Sequence, residues 1–403
     1  FKTPNYGLTS FGDLFTDRQL CAINAFCEAA VEAKDFLAQQ ALAAGFSAQS
    51  GGLDSAGDGA TAYAEAISLY LAFSVSKALT RNCALAIWEP GMGRLAGALG
   101  RQAFPMQWTF AETNPFAGAG GDISGTAKSV SEVLDQLVLP VPGKMKQSNA
   151  ADIKNESPVV FSTDPPYYDN IIYADLSDFF YIWLRRTAGH IFPSMLSTLV
   201  TPKAEEMVVA PNRHSSKAVA DAFFSNEIER AFRAMSDQLD AEYPSTIFYA
   251  FKQSDIEEGG VSSAGWATFL EGVLRSGLSV SATWPVRTEA TNALKKGMNA
   301  LANSVVLVCR KKEASAEVIT RAEFIRALKR ELPPAIAELQ AANIAPADMP
   351  QSAIGPGMGV FSRYKAVLES DDSPMTVKAA LQLINRELDE YLGGIQGEFD
   401  ADT

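Results

Sequence analysis

Asp164, Pro165, Pro166 and Tyr167 follow directly on the apolar run Pro158–Thr163, and their types suit one kind of chemistry. A carboxylate and the backbone carbonyl of Pro165 can both accept hydrogen bonds from a single exocyclic –NH2 group. Proline donates no amide hydrogen, so a Pro-Pro turn presents acceptors with few competing donors. A flat ring at Tyr167 offers a stacking face to a base drawn out of its helix. Two acceptors holding both hydrogens of an aromatic amine draw its nitrogen toward a pyramidal form. The lone pair is then open to an electrophilic methyl group. The plainer reading of the same four residues is a rigid strand-exit turn with no chemistry at all.

For such a turn to work, a strand has to hold it and helices have to cover the strand. "PVVFST" has the composition of a short buried strand and ends at Asp164. In open α/β sheets, ligands bind beyond the carboxyl ends of the strands, which is where this places Asp164. The helix after it carries Leu176, Phe179, Phe180, Trp183 and Leu184 at the i, i+3, i+4, i+7, i+8 spacing of a core-facing stripe. A loop, "MLSTLVTPKAEEMVVAPNRHSS", leads to a helix from Lys217 to Leu239 with Phe224, Ile228, Phe232 and Met235 on one side. "STIFYAFK" reads as a second buried strand, a helix spans Trp266 to Ser276, and "LSVSATWPV" and "NSVVLVCRKK" read as two further strands. This alternation predicts the second half of an α/β sheet with helices on both faces.

Upstream, helices are predicted over Thr16–Ala44, with Leu20, Ile23, Phe26 and Cys27 on one face, over Thr61–Arg81 and over Thr126–Leu137. The Gly/Ser/Asp-rich stretch Gly45–Ala60 reads as a loop and residues 82–125 as irregular. "EPGMG" and "GPGMG" are read as turns. Downstream, 313–403 is helical again, with "SPMTVKAALQLINRELDEYLGG" a long amphipathic helix closed by its glycines.

The totals set the frame. A chain of 403 residues suits two to three domains by the usual prior of roughly 150 residues each. The net charge of −13 argues against wholesale coating of nucleic acid, though not against a local basic groove. Lys203, Arg213, His214 and Lys217, and after them Arg287, Lys295 and Lys296, are either phosphate contacts or solvated loop charges. Cys21, Cys27, Cys83 and Cys309 show no Cys-x-x-Cys spacing and have only His190 and His214 to join them, so no metal site is expected. Reduced thiols suit a cytoplasmic protein. No apolar stretch reaches the length of about 18 residues that a membrane span needs, and no signal peptide is visible. The chain opens on Phe1, as a fragment or processed product does, and is expected to be a piece of something longer.

The longer run "TDPPYYDNIIYADLSDFFYIWLRR" resembles the large prokaryotic adenine-specific DNA methylases that carry a zinc ribbon upstream. "TPKAEEMVVAPNRH", "TWPVRTE", "SVVLVCRKK", "DLFTDRQL", "GRQAFPMQWTFAETNPF" and "AIGPGMGVFSRY" add to the resemblance, which therefore covers almost the whole chain. It implies a Rossmann-like sheet of the S-adenosylmethionine-dependent methyltransferase type, α/β in class, whole or cut short, with helical segments at both ends. The division is then a mainly helical segment 1–150, the catalytic half 151–312 and a helical tail 313–403. The implied activity is methylation of the exocyclic amino group of adenine in DNA. Asp164 and Pro165 would hold the amine, Pro166 fix the turn, Tyr167 stack on the flipped base, and Tyr168, Asp169 and Asn170 line the same mouth.

The implied cofactor needs a strand followed by a glycine-rich turn. "NPFAGAGG", with Asn114, Phe116, Gly118 and Gly120, is similar to the family's Asp-Pro-Phe-x-Gly-x-Gly, and Asp152 would lie at a strand end near the cofactor's adenine ring. Between this turn and Asp164 the sequence supplies at most one short strand where a second, acid-ended strand should lie. "NPFAGAGG" is thus either the cofactor turn or a loop with another role, the cofactor strand then lying upstream. The rival to an active enzyme is a catalytically silent half that binds DNA, an upstream half of the same protein, or helicase-like partners in a restriction-like or anti-phage system.

Overall fold

The structure is a computed structural model and describes residues 3–49, 51–99, 104–137, 141, 143–169, 171–249, 264–286, 304–341 and 349–402. The chain packs as two units, one of residues 1–145 and 171–206, the other of 146–170 and 207–403. Residues 171–206, which the sequence reading keeps inside the 151–312 segment, thus pack with the N-terminal helices.

The first unit is helical. α1 (Asp17–Ala43) starts at a capping box: Thr16 Oγ1 accepts from Gln19 N at 3.3 Å and Gln19 Oε1 accepts from Thr16 N at 2.9 Å. Two otherwise orphaned amides of the first turn are so satisfied. α2 (Ala60–Leu79) packs along α1, where Ser68 Oγ donates to the Ala30 carbonyl at 2.7 Å. β1 (Ile87–Glu89) and β2 (Arg94–Ala96) form a hairpin around Pro90–Gly93, so "EPGMG" is the turn its composition suggests, within a stretch predicted to be irregular. α3 (Ile123–Gln136) begins at Asp122. α4 (Tyr173–Ala188) is the helix predicted after the Pro-Pro turn. Its stripe packs on aromatic residues of this unit: Phe179 stacks on Phe15 at 5.4 Å and Trp183 meets the same ring edge-on at 5.6 Å.

A buried ion pair fastens the chain after α4. Asp178 accepts from Lys203 Nζ at 2.7 Å, from Thr201 N at 2.8 Å and from Thr201 Oγ1 at 2.5 Å. Burial pulls the Asp178 carboxyl upward, but the bonds from Lys203 and Thr201 outweigh it and hold it below its ordinary 3.8. Lys203 is therefore engaged inside the fold, which corrects its reading as a phosphate contact. Arg287, Lys295 and Lys296 lie outside the described residues.

The second unit is built on a four-stranded mixed sheet ordered β3 (Ser162–Thr163), β4 (Ser245–Tyr249), β6 (Ser304–Lys311), β5 (Leu278–Val286). β3 runs parallel to β4, and β6 runs antiparallel to both β4 and β5. α5 (Lys217–Gln238) precedes β4, and α6 (Ala264–Arg275) connects β4 to β5. On α5 the four predicted apolar residues Phe224, Ile228, Phe232 and Met235 are all buried. Val305 to Cys309 are buried without alternation, the mark of a strand covered on both faces. β3 is shorter than predicted: only Ser162 and Thr163 pair with β4, and Val160 is 54% exposed. Among the described residues no strand pairs with its other edge, so an apolar run that reads as buried is an edge here.

The tail contributes α7 (Arg321–Ala341), α8 (Met349–Ser362) and α9 (Val377–Asp402), and a small parallel pair, β7 (Val318–Thr320) with β8 (Ala366–Leu368). "GPGMG" is helical, not a turn. It lies within α8 against β5, so close that a Cβ on Gly355 would sit 1.8 Å from Thr283 Oγ1. Ser362 Oγ bonds Val280 N at 2.9 Å, a second tie between α8 and β5. α9 runs through Gly393 instead of closing there; glycine lowers helix stability by about 1 kcal/mol without forbidding helix. Among the described residues no helix is long and apolar enough to cross a membrane.

Candidate active site

β3 delivers Asp164 to a carboxyl strand end. The register is held by Thr246 N donating to the Phe161 carbonyl at 2.9 Å and by Phe161 N donating to Ser245 Oγ at 2.9 Å. Past Thr163 the two prolines end the ladder, since neither can donate to it. Asp164 is exposed, and Pro165, Pro166, Tyr167 and Tyr168 are half-buried. Among the described residues no amide donates to the Pro165 carbonyl, whereas the Pro166 carbonyl accepts from Tyr168 N at 3.2 Å and closes the turn.

Tyr167 does two things. Its hydroxyl donates to Asp164 Oδ1 at 2.5 Å, and its ring meets Tyr249 edge-on at 5.3 Å. Tyr249 ends β4 and is itself fixed by stacking on Phe269 at 4.1 Å and by Trp266 at 5.2 Å. The Tyr167 ring, expected as an aromatic plate beside the carboxylate, thus meets one core ring, Tyr249, that two others hold in place, a support the sequence alone does not bring forward. β4 alternates in burial, with Ser245, Ile247 and Tyr249 inward, and Ser-Thr-Ile-Phe-Tyr carries no matching alternation in hydropathy that would single out Tyr249.

Tyr168 turns away from the mouth it was predicted to line. Its hydroxyl donates to Asp221 Oδ1 on α5 at 2.7 Å, and its ring meets Phe224 edge-on at 5.3 Å. Burial, with the Asp221 bond added to it, pushes the phenol well above the ordinary tyrosine range. Its backbone adopts φ +51°, and its carbonyl accepts from Val209 N at 2.9 Å. Asp169 is exposed beside it. Asn170 lies outside the described residues.

The residues put forward for a cofactor are divided between the two units. Asp152 belongs to the same unit as Asp164 but sits in a 3-10 turn (Ala150–Asp152), not at a strand end, with its carboxylate 3.5 Å from Arg230. Asn114, Phe116, Gly118 and Gly120 belong to the other unit. Asn114 Oδ1 accepts from Phe116 N at 3.0 Å, while the Phe116 ring is exposed and meets Phe26 edge-on at 5.6 Å. Gly118 (φ +69°) donates to Asp122 Oδ2 at 2.9 Å, and Asp122 Oδ1 caps α3 by accepting from Gly125 N at 2.7 Å. Bonds from Gly118 and Gly125 hold the Asp122 carboxyl below its ordinary range. A turn that cradles a cofactor needs its amides unspent and a strand leading into it. Here Asp122 takes the Gly118 amide, and residues 104–114 form no strand. These residues do not fit a cofactor cradle.

A cavity of about 200 Å3 opens in the N-terminal unit, walled by Ile23, Phe26, Val75 and Ala78 and bounded by Thr113 and Pro115. None of its walls belongs to the unit that carries Asp164. Comparison with family models, with curated proteins and with solved structures finds no match.

Proposed function

We infer that the chain is the base-holding part of an amino-methyltransferase that transfers the sulfonium methyl of S-adenosylmethionine to the exocyclic amino group of adenine in DNA. The observation that carries this reading is the pairing of two acceptors at one strand end: the exposed Asp164 carboxylate and the Pro165 carbonyl, to which no described amide donates. Beside them lies the Tyr167 ring, seated on Tyr249. A parallel β3–β4 pair with its ligand groups at the carboxyl ends agrees with the α/β sheet the resemblance implies. The amine hydrogens of an extruded adenine would meet Asp164 and Pro165, while its ring lies on Tyr167. The nitrogen lone pair would then be open to a methyl group from a donor that this chain's residues do not themselves cradle, and water or Asp164 would take the proton shed.

The test is incorporation of labelled methyl into adenine-containing duplex DNA by the purified chain and by the protein as the cell makes it. Asp164→Ala should abolish it. Full activity in that variant refutes the site. One observation favours the silent alternative, in which the chain only binds DNA or partners: the Tyr167 hydroxyl already sits on Asp164. DNA binding with no incorporation by either protein would establish that alternative.

A further inference from the structure

We propose that Asp221 and Gly265 are positioning residues for the Asp164–Tyr167 turn, both acting through Tyr168. This rests on the amine-holding reading of that turn and names groups remote in sequence that keep it in shape. Tyr168 follows the motif directly and has φ +51°, a left-handed conformation uncommon for a non-glycine residue. Such a conformation persists only where its surroundings over-determine it. Three elements do so here. The loop before α5 supplies Val209 N to the Tyr168 carbonyl at 2.9 Å. α5 supplies Asp221 Oδ1 to the hydroxyl at 2.7 Å.

The third element is the start of α6. A Cβ on Gly265 would stand 2.9 Å from Tyr168 Cγ, 3.0 Å from Cδ1 and 3.2 Å from Cβ. Those atoms are the root of the ring and cannot swing aside as the far end of a flexible chain does, so the Tyr168 ring needs glycine at 265. Tyr168 N, in turn, donates to the Pro166 carbonyl and closes the turn from its far end. The separation between the Asp164 carboxylate and the Pro165 carbonyl is therefore set partly by Asp221 and Gly265. Neither residue carries a sequence signal for this role. Both act on the turn through Tyr168, and so they are positioning and not catalytic residues.

The experiment uses the protein as the cell makes it and compares Tyr168→Phe, Asp221→Ala, the double variant and Gly265→Ala with wild type in methyl transfer to duplex DNA. Asp164→Ala and thermal melting serve as controls. Tyr168→Phe and Asp221→Ala should each lower kcat about tenfold with KM for DNA and melting temperature little changed. The double variant should fall no further than either single one, because both remove the same hydrogen bond. Gly265→Ala, which displaces the ring itself, should fall at least as far. Wild-type kcat in the single variants, or a double variant that falls by the product of the two, overturns the proposal. Amide exchange at Val209 is read in the same proteins and does not depend on activity: it should speed up in Tyr168→Phe, Asp221→Ala and Gly265→Ala. Unchanged exchange overturns the proposal even if the wild type transfers no methyl group. Faster exchange in an inactive wild type upholds the clamp on Tyr168 and refutes the methyltransferase reading alone.

Discussion

Replacing Tyr167 by phenylalanine separates the two things that residue does. The ring stays on Tyr249, so the stacking face for a base is kept, and only the hydroxyl that occupies Asp164 Oδ1 is removed. On the proposed function, an incoming adenine amine would displace that hydroxyl from the carboxylate oxygen it would itself use. The displaced phenol is half-buried and can be rehydrated, so the penalty is the net worth of one intramolecular hydrogen bond, about 1 kcal/mol. That is roughly a fivefold factor in apparent affinity. Tyr167→Phe should therefore lower KM for duplex DNA about fivefold and leave kcat within a factor of two, as read by steady-state transfer of labelled methyl. Tyr167→Ala serves as the opposite control, because losing a base-stacking ring costs about 1–3 kcal/mol, or roughly 5- to 150-fold. A fall in kcat of more than tenfold in Tyr167→Phe would refute the reasoning. It would mean that the hydroxyl takes part in the reaction instead of capping the carboxylate beforehand.

Other predictions concern the scaffold. Lys203→Met leaves Asp178 buried beside Thr201 without its cation and should lower stability by about 3 kcal/mol at neutral pH, measured by chemical denaturation. Because the Asp178 carboxyl is held below 3.8, its contribution is present above that value and is lost as pH falls through the lowered one, so the variant should lose less than wild type on acidification. Tyr168 has the opposite sign: its phenol is raised above 10.0, so its contribution is complete below that pH and fades as pH climbs past it. Tyr168→Phe should remove that alkaline component from a stability profile taken above pH 10. Of the four cysteines Cys21 alone is exposed, and burial pushes the thiols of Cys27 and Cys83 up to about 11 and that of Cys309 up to about 12. A native thiol titration should count one fast-reacting group, and four after unfolding.

What could be read from the sequence followed from periodicity. α5 and α2 appear within two residues of their predicted bounds, and for α5 the reason is an apolar stripe at 3.6-residue spacing, which leaves little choice of conformation. The stripe on α4 is equally plain, yet its partner was not. Periodicity states that Phe179 and Trp183 are buried but not against what, and they meet Phe15. β3 was overextended because an apolar hexapeptide reads alike whether it is buried on both sides or paired along one edge. "GPGMG" was misread because glycine serves two ends: it permits a turn, and it lets a helix approach a strand. Thr283 beneath Gly355 decides for the second, and Thr283 is remote in sequence.

The same distinction bears on the candidate site. Asp164, Pro165 and Tyr167 are legible because their chemistry is contiguous in the chain. The groups that fix their geometry are not. Tyr249 comes from the end of β4, Asp221 from the exposed-looking face of α5, and Gly265 from the first turn of α6. An aspartate on a helix is ordinarily a solvated charge, and only the hydroxyl of Tyr168 at 2.7 Å gives Asp221 another role. A motif thus names the atoms that would touch a substrate, while the distances between those atoms are set by residues that no motif contains. It follows that exchanging the four motif residues into another strand end would not carry the activity with them unless the seats for Tyr167 and Tyr168 were carried as well.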